Sequence, residues 1–242
     1  MVASSFDDVL VVNPSRVHPA DREDVVAVES ELGVSLPSGY AAYVQQLGEG
    51  ALGHLVRVYP PQQVPGKTRE WRERVQQFWF WDTAQAGVAA EALQERGVLL
   101  ADTFEGDELC FDPADPETLY VLPRDEDVAH RVESGFLAAL EWMLSGGLNP
   151  WAEGWTFEAW ANRVEASKTV PGRLAEAASS VEALGEHSHV VDLGDRRTFF
   201  LPSIQGRLSL YQFPDGTLSV DLSCDETVPA EEIDRLLRVV AA

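Results

Sequence analysis

The sequence predicts an α+β fold: a first, larger domain of helices and antiparallel strands, followed by a second, smaller α+β domain. Apolar residues recur at helical spacing on both sides of residues 98–122. Within that stretch, Gly-Asp and Asp-Pro turns separate three short apolar runs, which is typical of an antiparallel meander. Near the C-terminus, Asp215-Gly216 lies between two alternating runs and predicts a hairpin.

Two helices joined by a short elbow are expected near the N-terminus. The first covers residues 19–32, has acidic side chains in its first turn and is followed directly by Gly33. Leu36-Pro37 is predicted to open the second helix, which carries Tyr40 and ends at Gly48. Gly33 permits a left-handed backbone, and Pro37 prevents the first helix from continuing. The pattern therefore predicts an αα-corner.

The other elements of the first domain follow from the same periodicities. Residues 66–82 are predicted to be helical because Trp71, Val75, Phe78 and Trp79 recur at helical spacing, and the tryptophans are interpreted mainly as core residues. Further helices are predicted at residues 88–95 and 128–144, and strands at 55–59, 98–104, 108–112 and 118–122.

A domain boundary is expected where Gly, Asn, Pro and Trp concentrate, at residues 146–155. We expect a first domain at residues 1–147, a linker and connecting helix at 148–170, and a small α+β domain of unknown role at 171–242. The alternative is that the C-terminal half completes the first core through Trp151, Trp155 and Trp160. Within the last part, helices are predicted at 172–184 and 229–240, with four strands between them.

The composition is strongly acidic. The chain of 242 residues has 18 Lys and Arg against 40 Asp and Glu, a formal net charge of −22. Such a surface repels nucleic-acid phosphates and anionic lipids and attracts basic partners. Residues 102–127 hold ten acidic residues and one basic residue, Arg124, and we expect this segment to lie on exposed turns and strand edges.

The sequence also bears on location and on metal binding. The N-terminus lacks the pattern of a signal peptide, no apolar run is long enough to cross a bilayer, and the two cysteines lie far apart. We therefore expect a cytoplasmic protein with reduced thiols. His187, His189 and Asp192 lack a third ligand at a defined spacing, and the carboxylates of residues 107–117 do not match a calcium loop, so neither a metal nor a cofactor is expected.

One set of motifs resembles a known superfamily. Gly33, Leu36-Pro37, Tyr40, Gly48 and Gly50 together resemble the elbow of the SUKH superfamily, the Smi/Knr-like group of bacterial immunity proteins and eukaryotic cell-wall regulators. A Gly-Asp turn and strand at residues 106–112 resemble its second motif. The family's Asn is missing from the loop before Gly50, and Ser134-Gly135-Phe136 matches the last helix one residue out of step. The resemblance covers residues 19–144.

The resemblance implies a curved antiparallel sheet packed by helices, and a binding role rather than catalysis. Many bacterial members look like antidotes of secreted polymorphic toxins, so we expect an immunity protein whose partner is a basic toxin, often a nuclease. A regulatory adaptor for a cellular protein is the alternative, and a hydrolase using Asp102, Glu105 or Asp107 is a third hypothesis. The residues expected to face the partner are Asp102, Glu105, Asp107, Glu108, Asp112, Asp115 and Glu117.

Overall fold

The structure is a computed structural model that describes residues 6–145 and 152–240. It divides into two compact units: residues up to Leu10 and from Val17 to Ala159 form the first, and Val11–Arg16 with the residues from Trp160 onward form the second. The fold is α+β, with a large sheet packed by helices and a second, smaller sheet, as the sequence predicts.

Among the described residues, the first sheet has eight strands in the order β1-β8-β2-β3-β4-β5-β6-β7, and the pairs from β8 through β7 are antiparallel. The strands are β1 (Leu10–Val11), β2 (Gly50–Leu52), β3 (Val56–Val58), β4 (Val98–Thr103), β5 (Glu108–Phe111), β6 (Leu119–Leu122), β7 (His130–Val132) and β8 (Thr156–Ala159). The helices are α1 (Arg22–Leu32), α2 (Tyr40–Gln46), α3 (Val64–Gln77), α4 (Ala90–Arg96) and α5 (Gly135–Leu144).

The predicted elbow joins α1 to α2, but α2 begins later than expected. Gly33 ends α1 with φ 66°, and its N–H bonds the carbonyl of Glu29. Pro37 does not open the helix, because Gly39 takes φ 93° and interrupts the helical backbone. The Tyr40 N–H instead closes a turn on the Pro37 carbonyl at 3.2 Å. The second helix therefore starts at Tyr40, three residues after Pro37.

The glycines after α2 let two chain segments approach closely. Gly48 pairs with His18 in a parallel bridge, and a side chain at Gly48 would overlap the carbonyl of His18. Gly50 then begins β2, which pairs with β8 in the register Gly50↔Ala159 and Leu52↔Phe157.

An aromatic cluster fills the core beneath the elbow. The rings of Tyr40 and Tyr43 meet Phe136 edge to face at centroid distances of 5.5 and 5.9 Å, and Tyr43 meets Phe157 at 6.2 Å. All four side chains are fully buried, and such pairs favour edge-to-face geometry. The Tyr40 hydroxyl also donates to the carbonyl of Tyr59 at 2.8 Å. The motif tyrosine thus connects α2 to the end of β3.

Two helix predictions in the first unit extend too far. Residues 128–144 contain β7 and then α5, because Ser134 and Gly135 take positive φ and separate the strand from the helix. The helix predicted at 66–82 ends at Gln77, so the next four aromatic residues lie outside it.

The connecting helix predicted within residues 148–170 is wrong. Residues 148–151, with Trp151, lie outside the described residues, and residues 156–159 form β8 of the first sheet. Trp155 packs near Phe6 with centroids 6.5 Å apart, so this part of the chain contributes to the first core. Trp160 instead belongs to the second unit and is 46% exposed.

The second unit is an antiparallel five-stranded sheet in the order β10-β11-β12-β13-β9, with two helices whose apolar faces join its core. Its four predicted strands and two predicted helices are confirmed, and β9 is the additional strand. The elements are β9 (Arg163–Pro171), α6 (Leu174–Glu182), β10 (His189–Asp192), β11 (Arg196–Leu201), β12 (Gly206–Gln212), β13 (Thr217–Asp225) and α7 (Ala230–Val240).

The segment Val11–Arg16 is attached to this unit by an ion pair. The Arg16 guanidinium donates from Nε to Asp225 Oδ2 at 2.6 Å and from Nη2 to Oδ1 at 3.0 Å. Thr227 adds hydrogen bonds from its N–H and hydroxyl to the same carboxylate, whose side chain is 2% exposed. The Arg16 and Thr227 hydrogen bonds hold the pKa of Asp225 far below its ordinary value.

We expect Tyr40→Phe to lower the free energy of unfolding by about 1 kcal/mol, because the Tyr59 carbonyl then loses a buried donor. Tyr43→Phe should leave the free energy of unfolding unchanged or raise it, because the Tyr43 hydroxyl is buried with no hydrogen-bond partner among the described residues. Urea unfolding of both variants measures the difference. A larger loss for Tyr43→Phe than for Tyr40→Phe would contradict these roles.

We also expect Arg16→Met to destabilise the second unit near neutral pH, and this effect should shrink in acid. A carboxyl with a depressed pKa stabilises the fold above its ordinary value of 3.8, and this contribution is lost as pH falls further. Thermal unfolding between pH 7 and pH 3 tests this. Arg22→Met is the matched control, since Arg22 is exposed on α1. An effect of Arg16→Met that stays constant with pH would contradict the ion-pair explanation.

Candidate partner-binding surface

The acidic segment at residues 102–127 contributes β5, β6 and the end of β4 to the sheet. Asp102 lies on β4 opposite Arg57 of β3. It accepts hydrogen bonds from Arg57 Nε at 2.7 Å and from the Tyr59 hydroxyl at 2.6 Å. Burial, and next the bond to Asp102, raise the pKa of Tyr59, which therefore stays a hydroxyl donor. Asp102 thus holds two neighbouring side chains in place.

Asp107 and Glu108 are buried, with residue exposures of 6% and 8%. Asp107 accepts from the Thr103 hydroxyl at 2.8 Å and from the Arg124 N–H at 3.0 Å, which fixes the turn between β4 and β5. Glu108 accepts from Trp71 Nε1 at 2.8 Å and forms an ion pair with Arg74. Burial raises the pKa of Glu108, and the charge of Arg74 opposes that shift.

Asp112 and Glu117 connect the strands to other elements. Asp112 binds the Arg96 guanidinium through both oxygens at 2.7 and 2.6 Å, and these bonds lower the pKa of Asp112. Glu117 accepts from the Ser38 N–H at 2.9 Å and from its hydroxyl at 2.5 Å. Ser38 lies inside the elbow, so Glu117 fastens the elbow to the turn before β6.

The expectation that this segment is an exposed acidic surface needs correction. Asp107, Glu108 and Asp112 are buried. Each accepts hydrogen bonds from donors in the chain, which compensate for the loss of water. Asp102 and Glu117 also hold partners within the chain. Among the described residues, Glu105 and Asp115 are the two of the seven whose carboxylates have no hydrogen-bond or ion-pair partner.

An aromatic surface lies beside the acidic segment. Residues 78–81, with the sequence Phe-Trp-Phe-Trp, follow α3 as an irregular stretch. Phe78 is 69% exposed and Phe80 52% exposed, whereas Trp81 is buried. The Trp81 indole N–H donates to the Pro123 carbonyl at 2.6 Å, and the Trp79 indole N–H donates to the Trp81 carbonyl at 2.8 Å. The two exposed rings are therefore carried by an anchored segment.

An acidic loop forms the other side of this surface. Residues 124–128 and Phe80 line an open cavity of about 580 Å³. The Asp82 N–H donates to the Asp127 carbonyl at 2.6 Å, and the Asp82 carbonyl accepts from Ala129 at 3.0 Å, so the loop is tied to the aromatic segment. Residues 124–127 are all exposed. We call residues 78–81 and 124–128 the aromatic–acidic groove.

Local sequence patterns did not predict this groove, although they contain a signal for it. Four consecutive aromatic residues cannot all lie on one buried face of a helix, because successive residues point 100° apart. A helix end at Gln77 was therefore the better interpretation. The acidity of residues 125–127 is visible in the sequence. Their neighbour across the groove, Phe80, precedes Asp125 by 45 residues, so no local pattern connects the two.

The described residues also bear on metal sites and on membrane-spanning helices. Within residues 6–145 and 152–240, no group of three or more His, Cys, Asp or Glu side chains is placed to hold a metal ion. His187 lies with its ring 5.6 Å from Phe199, and His189 lies 5.9 Å from Phe200. In the same part of the chain, the helices are too short or too polar to span a bilayer.

Comparison with known proteins places a family match on the first unit. Residues 19–142 match the family described as SMI1 / KNR4 family (SUKH-1). The match covers about half of the chain and includes the elbow, the acidic segment and the aromatic–acidic groove. No curated protein and no solved structure matches the chain.

We expect Glu108→Ala to lower the free energy of unfolding by about 1–3 kcal/mol, because the buried Trp71 indole N–H loses its acceptor. Glu105→Ala removes the same charge from an exposed carboxylate and should change the free energy of unfolding by less than about 0.5 kcal/mol. Urea unfolding measures both. Equal effects would show that Glu108 has no special structural role.

Proposed function

Because the chain belongs to the SMI1/KNR4 family (SUKH-1), we propose that it is a non-enzymatic immunity protein that binds and neutralises a cognate secreted bacterial toxin. The family match over residues 19–142 is the observation that carries this proposal. Members of this family are generally binding proteins without catalytic activity. Neutralisation then requires only that the protein cover the surface the toxin uses.

The charge supports a basic partner. A net charge of −22 attracts a positively charged protein and speeds its association, which matters when a toxin must be captured before it acts. Nucleases that bind phosphates are commonly basic, so a toxin with nuclease activity fits this chemistry. The attraction is screened over roughly 8 Å at physiological salt, so it acts mainly on the association rate.

The partner is proposed to contact the exposed carboxylates that have no partner within the chain, rather than those that are already paired. Asp102, Asp107, Glu108, Asp112 and Glu117 are committed to donors within the first unit. Glu105 and Asp115 are exposed and available to a partner, and the three acidic residues 125–127 extend the exposed surface. A partner that drew Glu108 away from Trp71 and Arg74 would leave buried donors unpaired, at a cost in stability.

A regulatory adaptor is the alternative, in which the same surface holds a cellular protein. It is favoured by the resemblance of the elbow to a group that includes cell-wall regulators. Catalysis by Asp102, Glu105 or Asp107 is disfavoured, because Asp102 and Asp107 are each held by separate donors within the chain.

We expect the protein encoded by the neighbouring gene to be basic, to stop growth when expressed alone, and to lose that effect when this protein is co-expressed. The purified pair should form one complex in size-exclusion chromatography, and its association rate should fall steeply with added salt because opposite charges steer the encounter. Stopped-flow association at several salt concentrations measures this dependence.

The control is an unrelated protein of similar size and net charge, which should neither bind nor restore growth. A neighbouring product that is not toxic, or whose toxicity persists, would overturn the immunity role. Stable binding of a non-toxic neighbour would instead favour the adaptor.

A further inference from the structure

We propose that the aromatic–acidic groove binds an arginine-rich polypeptide segment, with an arginine guanidinium placed between the Phe80 ring and the carboxylates of Asp125 and Asp127. This inference rests on the proposed function, because the groove would be the site at which the basic partner is contacted. The observation behind it is that the exposed Phe80 ring, on an anchored segment, lines one cavity together with the acidic loop.

The aromatic side of the groove is built for contact rather than for the core. Phe78 and Phe80 are among the largest exposed apolar side chains of the described residues. Phe80 stacks on the buried Trp81 with ring centroids 4.1 Å apart and an interplanar angle of 31°. Trp79 meets Trp81 edge to face at 5.2 Å. Exposed aromatic residues with little freedom to move are typical anchors at protein interfaces.

On the acidic side of the groove, the carboxylates of Asp125 and Asp127 are not engaged by other described residues. Arg124, the one cation of the loop, donates from Nη1 to the Glu105 carbonyl at 3.1 Å. Glu126 lies 3.0 Å from the His130 ring nitrogen Nε2. Among the described residues, Asp125 and Asp127 have side chains without an ion-pair or hydrogen-bond partner. A bound guanidinium would supply the donors that these exposed carboxylates can accept.

An arginine contact of this kind already exists within the same unit. The Arg57 guanidinium lies over the Phe104 ring at 5.3 Å while it binds Asp102. The ring is 51% exposed, so the chain combines a phenylalanine face, a carboxylate and a guanidinium at a surface position. The groove presents the first two of these components through Phe80 and Asp125 or Asp127. Arginine suits such a site better than lysine, because its planar group stacks on a ring and bonds a carboxylate at once.

The charge of the groove disfavours a second copy of this chain and a nucleic acid as the bound partner. A second copy of this chain would bring a net charge of −22 toward the acidic loop, and a nucleic acid would bring phosphates. Both are repelled at short range. A basic polypeptide is the partner whose charge complements the groove.

Fluorescence anisotropy with a labelled nona-arginine peptide at about 0.15 M salt tests the inference. Phe80→Ala, and separately Asp125→Asn with Asp127→Asn, should each weaken binding about five- to tenfold, because each removes one half of the contact. A nona-lysine peptide should bind the unaltered protein more weakly than nona-arginine. Thermal unfolding should be unchanged in the carboxylate variant, since its altered side chains are exposed, and Phe80→Ala should stay folded at the assay temperature although it loses its contact with Trp81.

The matched controls are Glu31→Gln with Glu95→Gln for the charge and Phe213→Ala for the ring. Glu31 and Glu95 are exposed on α1 and α4, and Phe213 is 37% exposed in the second unit. These controls should change binding less than twofold. Equal losses in groove and control variants would mean that only net charge matters, and no binding of nona-arginine to the unaltered protein would also overturn the site.

The toxin assay separates this inference from the proposed function. If the unaltered protein fails to neutralise the neighbouring toxin, the proposed function fails, whatever the peptide shows. If the unaltered protein and Phe80→Ala neutralise the toxin equally well and bind it with the same affinity, the groove is not the contact site and the inference alone is wrong.

Discussion

The first unit depends on the pairing of carboxylates on the central strands with donors from neighbouring elements. Asp102, Glu108 and Asp112 lie on or at the ends of β4 and β5, and each meets an arginine. A buried carboxylate without such a partner would be an uncompensated charge, which is strongly destabilising. The arginines come from β3, α3 and α4, so the pairs also fix how these elements are placed on the sheet.

The elbow depends on the same kind of interaction. Glu117 binds Ser38, the Gly135 N–H donates to the Glu117 carbonyl at 3.0 Å, and the Phe136 N–H donates to the Ser38 carbonyl at 3.0 Å. The elbow, the turn before β6 and the start of α5 therefore meet at one set of hydrogen bonds. Phe136 of α5 also packs on Tyr40 in the aromatic cluster. The hydrogen bonds between Ser38 and Glu117 and the packing of Phe136 on Tyr40 therefore stabilise the same arrangement of the elbow and α5.

Local patterns were enough to predict the elements whose periodicity is unambiguous. The meander of β4, β5 and β6, the strands β10 to β13 and the helix α7 follow from alternation, turn residues and a helical stripe. The connecting helix predicted within residues 148–170 failed because Phe157, Trp160 and Val164 fit helical spacing. In the structure, Phe157 pairs with β2 and Val164 with β13, and both of these strands are far away in the sequence. Tertiary pairing then decided between two local possibilities.

The site was harder to predict than the fold, because charge can be counted in a sequence but pairing cannot. Glu108 and Arg74 are 34 residues apart, and Asp112 and Arg96 are 16 apart, so no local pattern marks either carboxylate as buried. The same limit applies to the groove, since Phe80 and the 124–128 loop are brought together by tertiary pairing, including the parallel bridge between Asp82 and Val128.

The division between paired and open carboxylates has a functional consequence. A large net charge can draw a basic partner from a distance, but net charge alone does not specify where on an acidic surface the partner binds. Orientation has to come from short-range contacts that differ from place to place. The first unit satisfies its central carboxylates internally and leaves unpaired carboxylates beside the exposed Phe80 ring. Long-range attraction and short-range recognition can therefore come from different residues of the same acidic unit. A substitution that alters one of these two properties need not alter the other.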